Sequence, residues 1–285
     1  MLTTGSYMTG SQGFPGGNFW TSRVGNVIVI GTAGYGYDDW VGPFYPRGLD
    51  KREWLTFYAE RFQFTEVNST FYRMPNRFML ANMAKKTPAS FQFAIKAYRG
   101  ISHDRGNLAD DCKTLLGAVE PLAEAGKLAC IMVQFPNSYR NVVENRRYVA
   151  DISGYLRMYP TTVEFRHRSW AEPAVFPFLR DLGLGYVCVD EPQFPTLMPP
   201  VVQATGRLAY VRFHGRNYAK WWHHKEAYER YDYMYSKEEL TEWVPKLRQL
   251  EGDAGIVYVA MNNHYQGQAA INAKMLQELL LAPLR

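Results

Sequence analysis

The sequence predicts one α/β domain, a (β/α)8 TIM-type barrel, and three observations carry that prediction. Eight short apolar runs ending in polar residues recur along the 285 residues. Seven segments of helical period lie between them. The first run is followed by "GTAGYGYDDW", which is neither G-x-G-x-x-G nor a Walker A loop, so the signature of a doubly wound open sheet is missing. Strands alternating with helices imply right-handed βαβ units and a parallel sheet. Eight such units in one chain of this length favour closure into a barrel, with the open sheet as the alternative.

The runs are "VIVIGT" from Val27, "QFTEVN" from Gln63, "FQFAIKA" from Phe91, "LACIMVQF" from Leu128, "TTVEFR" from Thr161, "YVCVD" from Tyr186, "LAYVRFHG" from Leu208 and "IVYVAMNN" from Ile256. β-Branched and aromatic residues dominate them, and each is shorter than an ordinary helix. Helices are expected over 50–62, 76–87, 107–125, 172–183 and 267–281. Another carries Tyr148, Val149, Ile152, Tyr155, Leu156 and Tyr159 on one face. A further helix opens with Ser236 and Glu239 as a capping box before Leu240, Trp243, Val244 and Leu247. Where the sixth helix belongs, "EPQFPTLMPPVVQATG" from Glu191 to Gly206 holds four prolines and no helical period, so an extended Pro-rich connector replaces it.

Residues 1–26 are rich in Gly, Ser and Thr and lack the basic start and apolar stretch of a signal peptide, which predicts a flexible arm before a barrel over 27–285. No segment approaches the roughly 18 apolar residues that span a bilayer, so no membrane partner is expected. Cys112, Cys130 and Cys188 are too few and too scattered for a disulfide framework, which fits a cytoplasmic protein. The net charge of +5 suits an anionic ligand without requiring one.

In a parallel barrel the active site forms at the C-terminal strand ends. Alternation puts Glu66, Asn68 and Thr70 on one side of the second strand, Glu164 and Arg166 on one side of the fifth, and Arg212 and His214 on one side of the seventh. Lys96, Gln134 and Asp190 stand at the ends of the third, fourth and sixth strands, and Asn262 and Asn263 at the end of the eighth. His167 and Trp170 begin the loop after the fifth strand. The loop from Arg216 to Tyr235 interleaves aromatic rings, Trp221 and Tyr231 among them, with cations, and such a loop either grips phosphate and stacks on sugars or bases, or packs as a lid. A single charged strand end is usually a solvated terminus or an ion pair; a whole rim of carboxylates, cations and amides describes a pocket.

The absence of G-x-S-x-G, H-E-x-x-H and paired C-x-x-C leaves a serine hydrolase elbow, a zincin helix and a zinc ribbon unsupported. Two carboxylates flanked by cations suit general acid and base work, with Glu66 and Glu164 as the pair and His214 as a further proton carrier. Lys96, Arg166 and Arg212 would then hold an anion. No cofactor is required, although Glu66, Glu164, Asp190, His167 and His214 are residue types that bind a divalent ion.

The stretches "GTAGYGYDDW", "EVNSTFYRMP", "FAIKA", "VQFP", "VEFRHRSW", "YVRFHGRN" and "NNHYQGQAAINA" together resemble the domain of unknown function 72 family, also called YecE-like, from about residue 28 to 275. Ala33 departs from the Ser common in the first motif. The resemblance implies a TIM-type barrel and no particular reaction. Three functions remain open: an acid-base enzyme, a hydrolase or lyase in class, acting on an anionic phosphorylated or sugar-containing small molecule; a metal-dependent phosphodiesterase or nuclease on the endonuclease IV plan; and a nucleic-acid-binding protein without chemistry. The oligomeric state is not readable.

Overall fold

The computed structural model describes residues 27–282; the expected arm over 1–26 lies outside them. All eight apolar runs form strands: β1 Val27–Ala33, β2 Phe64–Val67, β3 Gln92–Lys96, β4 Leu128–Gln134, β5 Thr161–Glu164, β6 Leu184–Asp190, β7 Leu208–Phe213 and β8 Ile256–Met261. They pair in sequence order, all parallel, and β8 returns to β1 to close the barrel. The fold predicted from the sequence is therefore the fold observed.

Register decides which residues look inward, because partners side by side in a parallel ladder share a face. Gln134 lies beside Glu164, Val189 beside Arg212, and Asp190 beside Phe213. Below the mouth the rings of Phe64, Tyr210 and Tyr258 meet, with the Phe64 centroid 4.9 Å from that of Tyr258 and 6.0 Å from that of Tyr210, so the barrel is a packed core and not a pore. The β1–β2 seam has only two registered pairs. Tyr58 closes the rest of it: its hydroxyl accepts from the Thr32 amide at 2.9 Å and donates to the Phe64 carbonyl at 2.9 Å. Gly31 is required there, since a Cβ would stand 1.9 Å from the Phe64 carbonyl oxygen.

The connecting helices are α1 Trp54–Ala59, α2 Ser69–Tyr72, α3 Arg77–Lys85, α4 Leu108–Glu124, α5 Val143–Leu156, α6 Val175–Asp181, α7 Lys237–Thr241, α8 Val244–Ala254 and α9 Gln268–Leu281. The capping box at Ser236 and Glu239 forms as expected. The single helix predicted behind it is two, α7 and α8, because Pro245 begins a new first turn where its missing amide is no loss. No helix crosses between β6 and β7; instead Thr205 of the connector donates to the Leu184 carbonyl at 2.6 Å and accepts from the Tyr186 amide at 2.8 Å. No helix among the described residues is long and apolar enough to cross a membrane.

Candidate active site

Five charged side chains form a ladder across the mouth. Arg212, on β7, donates from Nη2 to Glu66 Oε1 and from Nη1 to Glu164 Oε2, both at 2.7 Å, so one guanidinium bridges β2 and β5. Arg166, two residues past Glu164, places Nε 2.6 Å from Glu164 Oε1 and Nη1 2.7 Å from Glu191 Oε2, extending the ladder to the end of β6. Tyr210 donates to the second Glu66 oxygen at 2.8 Å. All are buried. Burial alone raises a carboxyl pKa, but Arg166, Arg212 and His214 outweigh it at Glu164 and hold that group well below the usual range. Glu191 differs: burial dominates, Arg166 only partly opposes it, and its carboxyl is pushed up to about 7.

His214 reports its own tautomer. Nδ1 faces the Asn262 amide at 2.9 Å and an Arg166 nitrogen at 3.5 Å, and a guanidinium only donates, so Nδ1 accepts. The proton therefore sits on Nε2, which points at Glu164 Oε1 at 3.3 Å. Burial, followed by the nearby Arg166, holds the ring well below its ordinary pKa, so it is neutral.

A cavity of about 800 Å³ opens beside the ladder, on the β1–β3 side of the mouth. Glu66, Lys96, Gln134, Arg212 and Asn262 form its inner end, and Arg52, Met79, Asn82 and Lys86, on or beside α1 and α3, form its outer end. Tyr37 stacks flat on His264 with centroids 4.5 Å apart, making one wall. The Trp40 indole, donating to the His264 carbonyl at 2.7 Å, fixes that wall in place. Asn68 is anchored by a bond to the Ala33 carbonyl at 3.1 Å. Lys96 is the exception among the inner charges: no carboxylate lies within ion-pair reach of it among the described residues, and Nζ sits 4.4 Å from the Phe71 ring centroid. Burial first, and Arg212 second, lower its ammonium to about 7, against the opposing pull of Glu66 and Glu164.

Several expected rim residues lie elsewhere. Asp190 is the main correction: it points outward, where Arg216 holds both its oxygens at 2.9 and 2.7 Å, Tyr235 donates at 2.7 Å and Trp243 at 2.8 Å. Its neighbour Glu191 takes the inward place, as continuing the alternation from Val187 and Val189 would have indicated. Asn263 also points outward and donates to the Tyr233 carbonyl and to Asn272, tying the loop over 216–235 to α9. Trp170 is core, stacked on Phe165 at 3.9 Å. His167 turns back to cap Ser169 and does not join His214, which removes the second histidine from the proposed metal set. Thr70 leaves the strand alternation in α2 and binds the Lys96 carbonyl at 2.6 Å.

Of the loop over 216–235 only Tyr231 reaches the cavity, its ring centroid 5.5 Å from that of His264. Trp221 is buried beside Arg166, with the guanidinium 6.0 Å from its centroid. Among the described residues no three His, Cys, Asp or Glu side chains are grouped to hold a metal ion. The sequence reading missed Tyr37, Arg52, Lys86 and His264. Of these only His264, inside the quoted "NNHY", stood next to a named strand end.

A closed TIM-type barrel with a buried carboxylate–guanidinium ladder and an adjoining cavity at its C-terminal mouth defines the class. The chain belongs to the DUF72 family, whose model, described as a protein of unknown function, matches residues 29–284. It is 32% identical to the UPF0759 protein YunF of Bacillus subtilis (strain 168) over 274 residues, 89% of this chain and 95% of that one. The crystal structure of a DUF72 family protein from Thermotoga maritima MSB8 superposes with a TM-score of 0.83 at 35% identity, covering 90% of this chain and 99% of the other. A DUF72 family protein from Enterococcus faecalis V583 gives a TM-score of 0.80 at 27% identity, covering 91% and 97%.

Proposed function

We propose that the protein is an enzyme that moves a proton on an anionic, hydroxyl-rich small molecule, a phosphorylated sugar in class, held in the cavity with Lys96 as the proton carrier. The single observation behind this reading is the contrast at the inner end, where every other charge is matched by a counter-charge and Lys96 alone faces the open volume near its neutral point. An amine poised near 7 exchanges protons at neutral pH, and in its charged form it attracts an anion. Gln134, Asn68 and Asn262 offer the amide groups that a polyhydroxylated body needs. Glu66 and Glu164, first read as the acid-base pair, serve here to fix Arg212, because a carboxyl as acidic as Glu164 neither donates nor accepts a proton readily at pH 7. Arg166 and Arg212 are spent on carboxylates and do not anchor the anion.

Thermal unfolding with glucose 6-phosphate, inorganic phosphate and glucose tests the reading. A ligand at a hundredfold excess over Kd adds about 2.7 kcal/mol, several degrees in Tm. The phosphate ester is expected to raise Tm, glucose to have little effect, and Lys96→Met to abolish the rise. Affinity for the ester is expected to fall as pH rises through about 7 in the wild type and to stay level in Lys96→Arg. An unchanged Tm shift in Lys96→Met would overturn the assignment.

A further inference from the structure

From Val67 to His103 the chain contains no aspartate or glutamate and carries six cations, Arg73, Arg77, Lys85, Lys86, Lys96 and Arg99. The same stretch exposes two large rings: Tyr72, which helps to line the cavity, is 74% accessible, and Phe78, next in sequence to the lining residue Met79, is 77% accessible. Along α3 and its C-cap Lys86, Met79, Asn82, Met83 and Lys86 follow helical spacing at the cavity edge, and Phe78 lies one position round from that stripe. Not every cation is free. Arg77 pairs with Glu120 at 3.3 Å, Arg99 with Asp104 at 2.9 Å, and Lys51 with Asp38. The guanidiniums of Arg52 and Arg73 have no carboxylate within 4.0 Å among the described residues, and Lys86 donates to the Arg52 carbonyl at 2.7 Å, which holds those two cations on one rim.

We infer that this face, formed by α2, α3 and the Arg52 rim, docks single-stranded nucleic acid, with bases stacking on Tyr72 and Phe78 and phosphates held by Arg52, Arg73 and Lys86. Exposed rings interleaved with uncommitted cations match a strand that offers π-faces and phosphates in alternation. A duplex keeps its bases stacked inside and leaves the rings without partners. A second copy of this chain would set the cations Arg52, Arg73 and Lys86 of one face against those of another, and like charges disfavour that pairing. The aromatic loop over 216–235 is a weaker platform: Trp221 and Tyr235 are buried, and Arg216 and Lys220 pair with Asp190 and Glu229. The inference does not depend on the proton-transfer reading.

The test is fluorescence anisotropy with a labelled oligothymidylate of about 16 nucleotides, titrated with the whole protein across a salt series. Three phosphate contacts give a slope of log K against log salt near −2, at about 0.7 per contact. Tyr72→Ala and Phe78→Ala are each expected to weaken binding about tenfold, and Arg73→Ala to reduce the slope by about 0.7. Both rings are exposed, so an unchanged Tm in each variant separates lost contact from lost fold. Lys96→Met should leave this binding intact, which keeps the outcome distinct from that for the cavity. Absence of binding at 50 mM salt, or binding that none of the three substitutions alters, overturns the inference. So does a dimer in sedimentation that Phe78→Ala dissociates, which would give the face to a second copy.

Discussion

The two halves of the barrel mouth use the same residue types to opposite ends. Across to the β5–β7 half, starting from Glu66 on β2, carboxylates and guanidiniums alternate through Arg212, Glu164 and Arg166 to Glu191, each within 2.7 Å of the next. On the β1–β3 half, Lys96 has no counter-charge within ion-pair reach among the described residues and lines the cavity. A buried charge is tolerated in a barrel either because a neighbour answers it or because a ligand will. The mouth divides along that line, so residue type alone does not mark a site; what marks it is a charge at the cavity without a counter-charge in reach.

The sharpest way to break this contrast is Arg212→Met. The side chain is only 1% exposed and serves two carboxylates at once. Removing it leaves Glu66 buried beside the Tyr210 hydroxyl and Glu164 beside Arg166 and the neutral His214, for which a loss of about 3–5 kcal/mol is expected. Urea unfolding measures it, and a loss below about 1 kcal/mol would mean that water reaches the ladder and that the two halves do not differ.

Lys96→Met should act in the reverse direction and less strongly, gaining about 1–3 kcal/mol near neutral pH because a half-buried amine resting on the Phe71 ring is replaced by an apolar side chain. Its pH dependence follows from the lowered pKa. Between about 7 and the ordinary 10.5 the unfolded chain binds a proton that the folded one does not, so this group lets stability rise with pH across that window. Glu191 gives the opposite slope. Its carboxyl is raised from 4.5 to about 7, so the folded state binds the extra proton, and stability present below 4.5 is lost as pH rises to about 7. The two contributions meet in a minimum near pH 7. Glu191→Gln is expected to flatten the descending limb and Lys96→Met the ascending one; a wild-type stability curve parallel to that of both variants would show that neither group titrates there.

The barrel was legible because its signal is periodic: apolar strands, the missing sixth helix and the Ser236–Glu239 cap each follow from local chemistry. The ladder was legible in part. Alternation placed Glu66, Glu164, Arg166, Arg212 and His214 on inner faces, yet it could not show that Arg212 would bind both carboxylates, since that depends on three strands far apart in sequence. The cavity was the least legible. Arg52 and Lys86 belong to a helical layer, and nothing in their own segments says that the mouth opens toward them. Tyr37 and His264 meet only because β8 closes on β1.

The smallest expected effect belongs to the residue that the strand-end rule misplaced. Asp190 and Glu191 are adjacent carboxylates at the end of one strand, and a one-residue step sends them to opposite faces. Asp190 accepts from Arg216, Tyr235 and Trp243, which lock the loop over 216–235 and the start of α8 to the outside of β6. Asp190→Asn keeps its size and one accepting oxygen, and Arg216, partly exposed and also near Glu239, keeps another partner. A loss of about 1–2 kcal/mol is expected, with no change in ligand response at the cavity. Glu191→Gln, one residue on, should alter the pH curve instead. If Asp190→Asn changed the pH dependence between 4.5 and 7 as Glu191→Gln is expected to, the inward and outward assignment of these two carboxylates would have to be exchanged.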